Sequence, residues 1–428
     1  MSIEKKQFPS GLTAYVDHMP EAQTTAVNVF VPFGSIDELP GQEGVAHALE
    51  HCVFLKTPDF PDKQAIDLHA RLNGMDQNAN TYYTRTLHET HGMSAEPAFH
   101  HLSEVLQHAE IPDKDAAHEM KAVRREAITG LDDVENAHAV SLDYAVFGSP
   151  YGRRVIGYHN ALNFKGELLR SIYEQQYILG AMTVIIAGAT PADEAYALLE
   201  RYFDIDTRIA LPDRPVPARP TFAGNRISGF VRPESSNVRI SVAHPLTPEI
   251  TERVKYDPTL YDIATSIMSE ECFQQLRYDK GISYDGGVGI DTYNHDHAWS
   301  LQSYVTTDAQ QVATANDVFA TIFAKRGKEY DSDHIKAGLA MGKYGVLSSV
   351  ESVDDHMDHI VSQLEYGIIP QDISEVSERL RTLTADDVRD AIDNLVDLAA
   401  TQPRFEHRTG KRKALGRVDT IVDQSSFM

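Results

Sequence analysis

The 428-residue chain has only two cysteines, Cys52 and Cys272, far apart in sequence. That excludes a disulfide framework and reads as two reduced core thiols in a reducing compartment. Long apolar runs are also scarce. The strongest, AMTVIIAGA at 181–189, falls far short of the roughly 20 residues that span a bilayer. The opening MSIEKKQFPSGL lacks the apolar run of a secretory signal. These absences predict a cytoplasmic protein with no membrane partner. Positive charge is in deficit too, with 39 Lys and Arg against 63 Asp and Glu and a net charge of −24. This argues against nucleic acid as a partner and is compatible with cationic substrates.

What is present describes a folded chain: 42% hydrophobic residues, 24% charged, and no low-complexity tract. The length implies two or three domains. The pattern predicts strands at 25–35, 78–93 and 183–187, with helices over 96–132 (broken at IPDKD), 165–176 and 191–203. A stretch with prolines at 212, 215, 217 and 220 then excludes helix and disfavours a central strand. Beyond it the order of elements is similar. Strands are expected at 227–232, 238–243, 283–293 and 298–306, a helix over 257–277, and a last helix capped by Thr384 and Asp387. The expected fold class is α+β: two similar domains, each a mainly antiparallel sheet packed with helices. The boundaries fall at 1–205, a 206–222 linker, and 223–428.

The densest chemistry lies in GVAHALEHCVFLKT, residues 44–57. At about 100° per residue, Glu50 and His51 fall within roughly 60° of His47, while Val45, Leu49, Cys52 and Val53 form an apolar opposite face. Histidines at i and i+4 can share one zinc ion, and an acid one turn away can reach the attacking water. H-x-x-E-H is the signature of one class of zinc peptidase. With 19 histidines and 63 acids in the chain, the pentapeptide can also arise by chance. A catalytic zinc needs a third protein ligand. Downstream, Glu119 and Glu126 stand nearly two helical turns apart in HEMKAVRREAITG, so both face one way. Glu126 could be that ligand and Glu119 an outer partner orienting a histidine, or both could be solvated helix glutamates.

Together, H-x-x-E-H and the E-x6-E that follows resemble the pitrilysin family of zinc metallopeptidases. The flanking GSIDELPGQEG, NANTYYTRT and SPYGRRVIGY are similar to that family as well, and most so to the short-chain relatives of mitochondrial processing peptidase. The resemblance covers essentially the whole chain and is strongest over 7–205. It implies Zn2+ held by His47, His51 and Glu126, with Glu119 behind them and Glu50 as the base. Asn78, Ala79 and Thr81 would lie on an edge strand that takes the peptide substrate. QLRYDKGISY places Arg277 and Tyr284 seven apart, as in the family's pair that holds the scissile carbonyl. One departure is visible: SIMSEECFQQ stands where a glycine-rich stretch often precedes that helix. The implied protein is an endopeptidase acting on peptides or unfolded segments. Chains of this length pair, so the implied assembly is a homodimeric clamshell in which Arg277 and Tyr284 of one protomer complete the other's zinc site. The alternatives are a non-catalytic scaffold or partner subunit, and a dedicated precursor-processing protease.

Other candidates are weaker. His88 and His91 point to opposite faces of any strand, which favours sheet packing. His295 with His297, and His356 with His359, lack a complete ligand set. Gly286–Gly289 precedes no helix, which argues against a phosphate loop. The basic run RTGKRKALGR at 408–417 reads as a solvated end.

Overall fold

The computed structural model describes residues 3–211, 214–292, 295–348 and 351–422, so Pro212 of the proline-rich stretch and Tyr293 of an expected strand lie outside the described residues. In chain order the first half runs β1 (Glu4–Gln7), β2 (Thr13–His18), β3 (Thr25–Val31), α1 (Val45–Cys52), α2 (Lys63–Leu72), β4 (Met75–Thr81), β5 (Thr86–Gly92), α3 (Ala95–Gln107), α4 (Asp113–Thr129), α5 (Val134–Phe147), α6 (Gly166–Gln176), β6 (Thr183–Gly188) and α7 (Ala192–Tyr202). The second half runs β7 (Arg226–Val231), β8 (Val238–Pro245), α8 (Pro248–Tyr256), α9 (Pro258–Gln274), β9 (Gly287–Asp291), β10 (Ser300–Thr307), α10 (Val312–Ile322), α11 (Ser332–Ser348), α12 (Val353–Glu365), α13 (Ile373–Thr382), α14 (Ala385–Thr401), β11 (Phe405–Gly410) and β12 (Thr420–Val422).

Two compact units result, and neither is continuous in sequence. The first holds the chain through Thr129, then Arg154–Val216, and takes α12 from the far half. The second takes Gly130–Arg153, with α5, and resumes at Pro217.

The first sheet has the order β1-β2-β6-β3-β5-β4, with β2 and β6 parallel and the other pairs antiparallel. Every residue of β3 (TAVNVFV) is buried, because the sheet is covered on both faces. One face packs Val27, Val29 and Val31 against the buried sides of α1, α3 and α4; the other packs Ala26, Phe30 and Ile185 against Met357 and Ile360 of α12. Arg85, lying over the rings of Phe30 and Tyr82, ion-pairs with Glu365 and so ties α12 down. His356 and His91 add contacts of 2.6 Å to Asp17 and 2.7 Å to Asp354.

The second sheet has the order β12-β7-β11-β8-β10-β9, with β7 parallel to both β11 and β12. The fold class is as expected from the sequence, with mixed sheets that remain mostly antiparallel. Thr384 and Asp387 form the expected capping box at α14. The basic run at 408–417 is solvated only in part, at 411–413 and 416–417. Its first three residues complete β11, Leu415 is fully buried, and the Arg408 guanidinium bonds to Glu406 and to the Leu415 carbonyl. A buried carboxylate two residues upstream neutralises that charge, which counting basic residues does not reveal.

Candidate metal centre

Helix α1 starts where the chain must turn sharply. Gly44 has φ +91°, and a Cβ there would lie 2.7 Å from the Gly157 Cα atom, so only glycine fits. No side chain of the N-cap residue closes the helix. The buried Glu38 carboxylate does so instead, accepting from the Gly44 and Ala46 amides at 3.0 Å each. The apolar side, Val45, Leu49, Cys52 and Val53, is fully buried as its spacing predicts. The opposite side is covered as well, since α4 packs across it and leaves His47 only 4% exposed. Burial also pushes the Cys52 thiol up to about 12, which makes it inert core material.

Glu126 on α4 faces the two imidazoles. Its carboxylate oxygens lie 3.4 Å from His47 Nε2 and 3.3 Å from His51 Nε2, and those two nitrogens are 3.2 Å apart. A tetrahedron with ligands about 2.0–2.1 Å from zinc has edges of about 3.3 Å, and the two imidazole nitrogens and the Glu126 carboxylate, one oxygen toward each, stand at contacts of that length. Glu119, two turns before Glu126, sits 3.0 Å from His51 Nδ1 and accepts from Lys63 of α2 at 3.2 Å. Holding the Nδ1 proton leaves His51 Nε2 with its lone pair toward the other two donors.

The electrostatics call for a cation. Hydrogen bonding to His51, helped by Lys63 against the cost of burial, holds Glu119 at about 2; hydrogen bonds to His47 and His51 keep Glu126 far below the ordinary range. Burial would lower His51, but Glu119, Glu126 and Glu50 outweigh it and raise it to about 9. Three carboxylates around two imidazoles thus draw positive charge to the point where the donors meet. An imidazole–imidazole–carboxylate set fits Zn2+. Glu50 is the exception among the acids. Burial raises its pKa, although both imidazoles and the 2.7 Å bond from the Thr81 hydroxyl pull the other way.

Among the residues expected on the substrate strand, Asn78, Ala79 and Thr81 all lie on β4, at the free edge of the first sheet. Asn78 is exposed and Ala79 half-buried, opposite Glu89 and His88 of β5. The Thr81 side chain bonds to Glu50, leaving the strand's main chain for any added strand. In the second unit, α9 ends in a single π-turn, Gln275–Asp279, which places the Arg277 guanidinium 4.6 Å from the centre of the Tyr284 ring. The rings of Tyr278 and Phe273 flank the same cation at 5.5 and 5.6 Å, and Tyr284 is 85% exposed.

Sequence reasoning missed Glu38, Lys63, Gly157 and the bond from Thr81 to Glu50, all set by tertiary contacts; only the unusual glycine before α1 hinted at the close approach. The weaker histidines are accounted for. His88 is buried beside Phe54 and Tyr177, and Lys255 already pairs with Asp296 beside His295 and His297.

No helix among the described residues is long and apolar enough to cross a membrane. Two family models match the chain: insulinase (peptidase family M16) over residues 13–144, and the peptidase M16 inactive domain over 163–339. His47, Glu50, His51, Glu119 and Glu126 all fall within the first. An uncharacterized zinc protease of Mycobacterium tuberculosis is 25% identical over 381 residues, covering 86% of this chain and 85% of its own. A probable mitochondrial-processing peptidase subunit beta of Schizosaccharomyces pombe is 30% identical over 206 residues, 47% of this chain and 44% of its own. The crystal structure of a protease from Helicobacter pylori has the same fold, with a TM-score of 0.77, 15% identity, and coverage of 95% of this chain and 99% of that one. With the matched models spanning both halves and the donor set in place, the chain belongs to peptidase family M16, the pitrilysin type.

Proposed function

We propose that the protein is a zinc-dependent endopeptidase that hydrolyses peptides or unfolded segments. The observation that carries this reading is the convergence of His47, His51 and the two Glu126 oxygens, at contacts of 3.2–3.4 Å, with the Glu50 carboxylate beside them. Held there, Zn2+ supplies Lewis-acid polarisation of a carbonyl and makes water acidic enough to ionise near neutral pH. The chain's own residues do the rest. Glu50, oriented by Thr81, takes a proton from the attacking water at a carboxylate oxygen and returns it to the leaving amine. Glu119 holds the His51 Nδ1 proton through that cycle. The free edge of β4, with Asn78, Ala79 and Thr81, receives the substrate as an added strand through main-chain hydrogen bonds, which tolerate many sequences. Arg277 and Tyr284 donate hydrogen bonds to the carbonyl oxygen as its charge develops.

In this reading two copies pair in the cytoplasm as a homodimer, each lending Arg277 and Tyr284 to the other's zinc site. Mixing Glu50→Gln with Arg277→Ala chains then restores part of the activity through mixed dimers; no recovery despite proven subunit exchange would rule out sharing. The similarity to a mitochondrial-processing peptidase subunit supports a narrower reading as well, a protease that trims one precursor. A mixture of unstructured peptides, read by mass spectrometry with and without chelator, tests both. Broad cleavage abolished by chelation and by Glu50→Gln supports the endopeptidase. A single cleaved sequence favours the processing enzyme. A chain that takes up no zinc leaves the non-catalytic scaffold.

A further inference from the structure

Away from the zinc centre, a second set of ligand-type side chains converges in the first unit: Asp59, His100 and Glu104, with one donor atom each, all within 4.8 Å of one another. His100 and Glu104 stand one turn apart on α3, and Asp59 comes from the loop between α1 and α2. His100 Nε2 lies 2.9 Å from Asp59 Oδ2. The His100 ring is fixed by packing, with the Phe60 ring centre at 5.3 Å and a stacked Tyr202 at 5.6 Å.

Glu104 is only 8% exposed, and its carboxylate is oriented by the Thr57 hydroxyl at 2.6 Å and the Asp59 amide at 3.1 Å. Both bonds fall on Oε2, which leaves Oε1 as a ligand. Supporting hydrogen bonds of this kind are what fixes a metal-binding carboxylate.

Among the described residues, no lysine or arginine is ion-paired with Asp59 or Glu104. Two carboxylates are thus brought together with only the His100 imidazole, 2.9 Å from Asp59, to balance them. At His295, Asp296 and His297, by contrast, the Lys255 ammonium already occupies that role. The 2.9 Å between His100 Nε2 and Asp59 Oδ2, a hydrogen-bond length, also fits one edge of an octahedron with ligands at about 2.0–2.1 Å, and the Glu104 donor lies within 4.8 Å of both. One nitrogen and two carboxylate donors suit a divalent first-row transition ion such as Zn2+ or Mn2+, with water completing the shell.

We propose that Asp59, His100 and Glu104 form a second, structural site for such an ion. It fastens the loop that leaves the metal helix α1 onto α3, and it takes no part in the chemistry at Glu50.

The test is metal analysis of the full chain after stripping with chelator and equilibrium dialysis against micromolar Zn2+. The wild type binds two ions per chain. Asp59→Asn and His100→Ala each bind one, lose part of the zinc-dependent rise in Tm, and keep their peptide cleavage. Asp59→Asn replaces an exposed carboxylate by its isostere, so lost binding there is not misfolding. One ion per chain in the wild type, two ions in both variants, or a second ion taken up only at millimolar zinc would each overturn the proposal.

Discussion

Strip the outermost strand from each sheet and the two units have the same pattern. In β2-β6-β3-β5-β4 and in β7-β11-β8-β10-β9 the first pair is parallel and the next three are antiparallel. In both, a pair of helices leads from the third strand of that series to the edge strand: α1 and α2 from β3 to β4, and α8 and α9 from β8 to β9. The chemistry placed there differs. The first unit sets its candidate metal donors between α1 and α4, with His47 buried, His51 half-buried and Glu126 of α4 exposed. The second carries a half-buried Arg277 beside the exposed Tyr284 ring at the end of a π-turn. The same scaffold thus carries a cluster of imidazoles and carboxylates in one unit and a cation among aromatic rings in the other. Topology fixes where the chemistry sits, and the side chains fix its kind.

The largest expected effect sharpens that division. Glu50→Gln removes proton transfer and lowers kcat by about 10²–10⁴-fold while the zinc content stays unchanged, because Glu50 is not in the donor set. Arg277→Ala removes one donor to the developing charge and costs about 10²–10³-fold in kcat, again with unchanged zinc. Steady-state kinetics paired with metal analysis reads both. Zinc loss in the Arg277 variant would break the separation of roles between the units.

A smaller effect comes from the support behind the donors. Glu119→Gln keeps the shape but weakens the hold on the His51 Nδ1 proton, so zinc affinity falls about 10–100-fold. Competition with a chromophoric chelator measures the fall. An affinity equal to wild type would mean that Lys63 and packing alone set the ring.

This gradient parallels what the sequence made legible. The donors were readable because they lie at i, i+4 on one helix and nearly two turns apart on another, so local geometry nearly determines their facing. Strands such as β3 and β6 were readable from their β-branched runs, whereas β1, β2, β11 and β12 were not expected. Glu38 reaching the start of α1, Lys63 reaching Glu119, and the Gly44–Gly157 contact were not, since each joins residues that only the folded chain brings together. The exchange of α5 and α12 between the units was equally hidden, because a helix's periodicity shows that it has an apolar face and not which sheet receives it.

The two exchanged helices give the last and smallest contrast. On the first sheet, α12 is held by ion pairs, while on the sheet's other face the buried His88 has neither ring nitrogen hydrogen-bonded among the described residues. On the second, α5 is held by a neutral network. His138 bonds to Thr409 and Ser241, and His407 to Ser141 and Ser228, each at 2.8 Å. Burial depresses His88 and His407 to about 3, against 6.5 when unfolded. Their stability contribution is therefore complete above pH 6.5 and is lost as pH falls from 6.5 toward 3, at up to about 1.4 kcal/mol per pH unit for each. His88→Phe keeps the ring, changes stability little at pH 7.5, and flattens the acid slope by one histidine. His407→Phe also flattens the slope but removes two hydrogen bonds, to Ser141 and Ser228, whose hydroxyls keep their main-chain carbonyl partners, costing about 0.5–1.5 kcal/mol for each at neutral pH. Urea unfolding midpoints between pH 5 and 7.5 separate these outcomes. An unchanged acid slope in His88→Phe would mean that water reaches that ring once it is protonated, and that the two cores differ less than their hydrogen bonds imply.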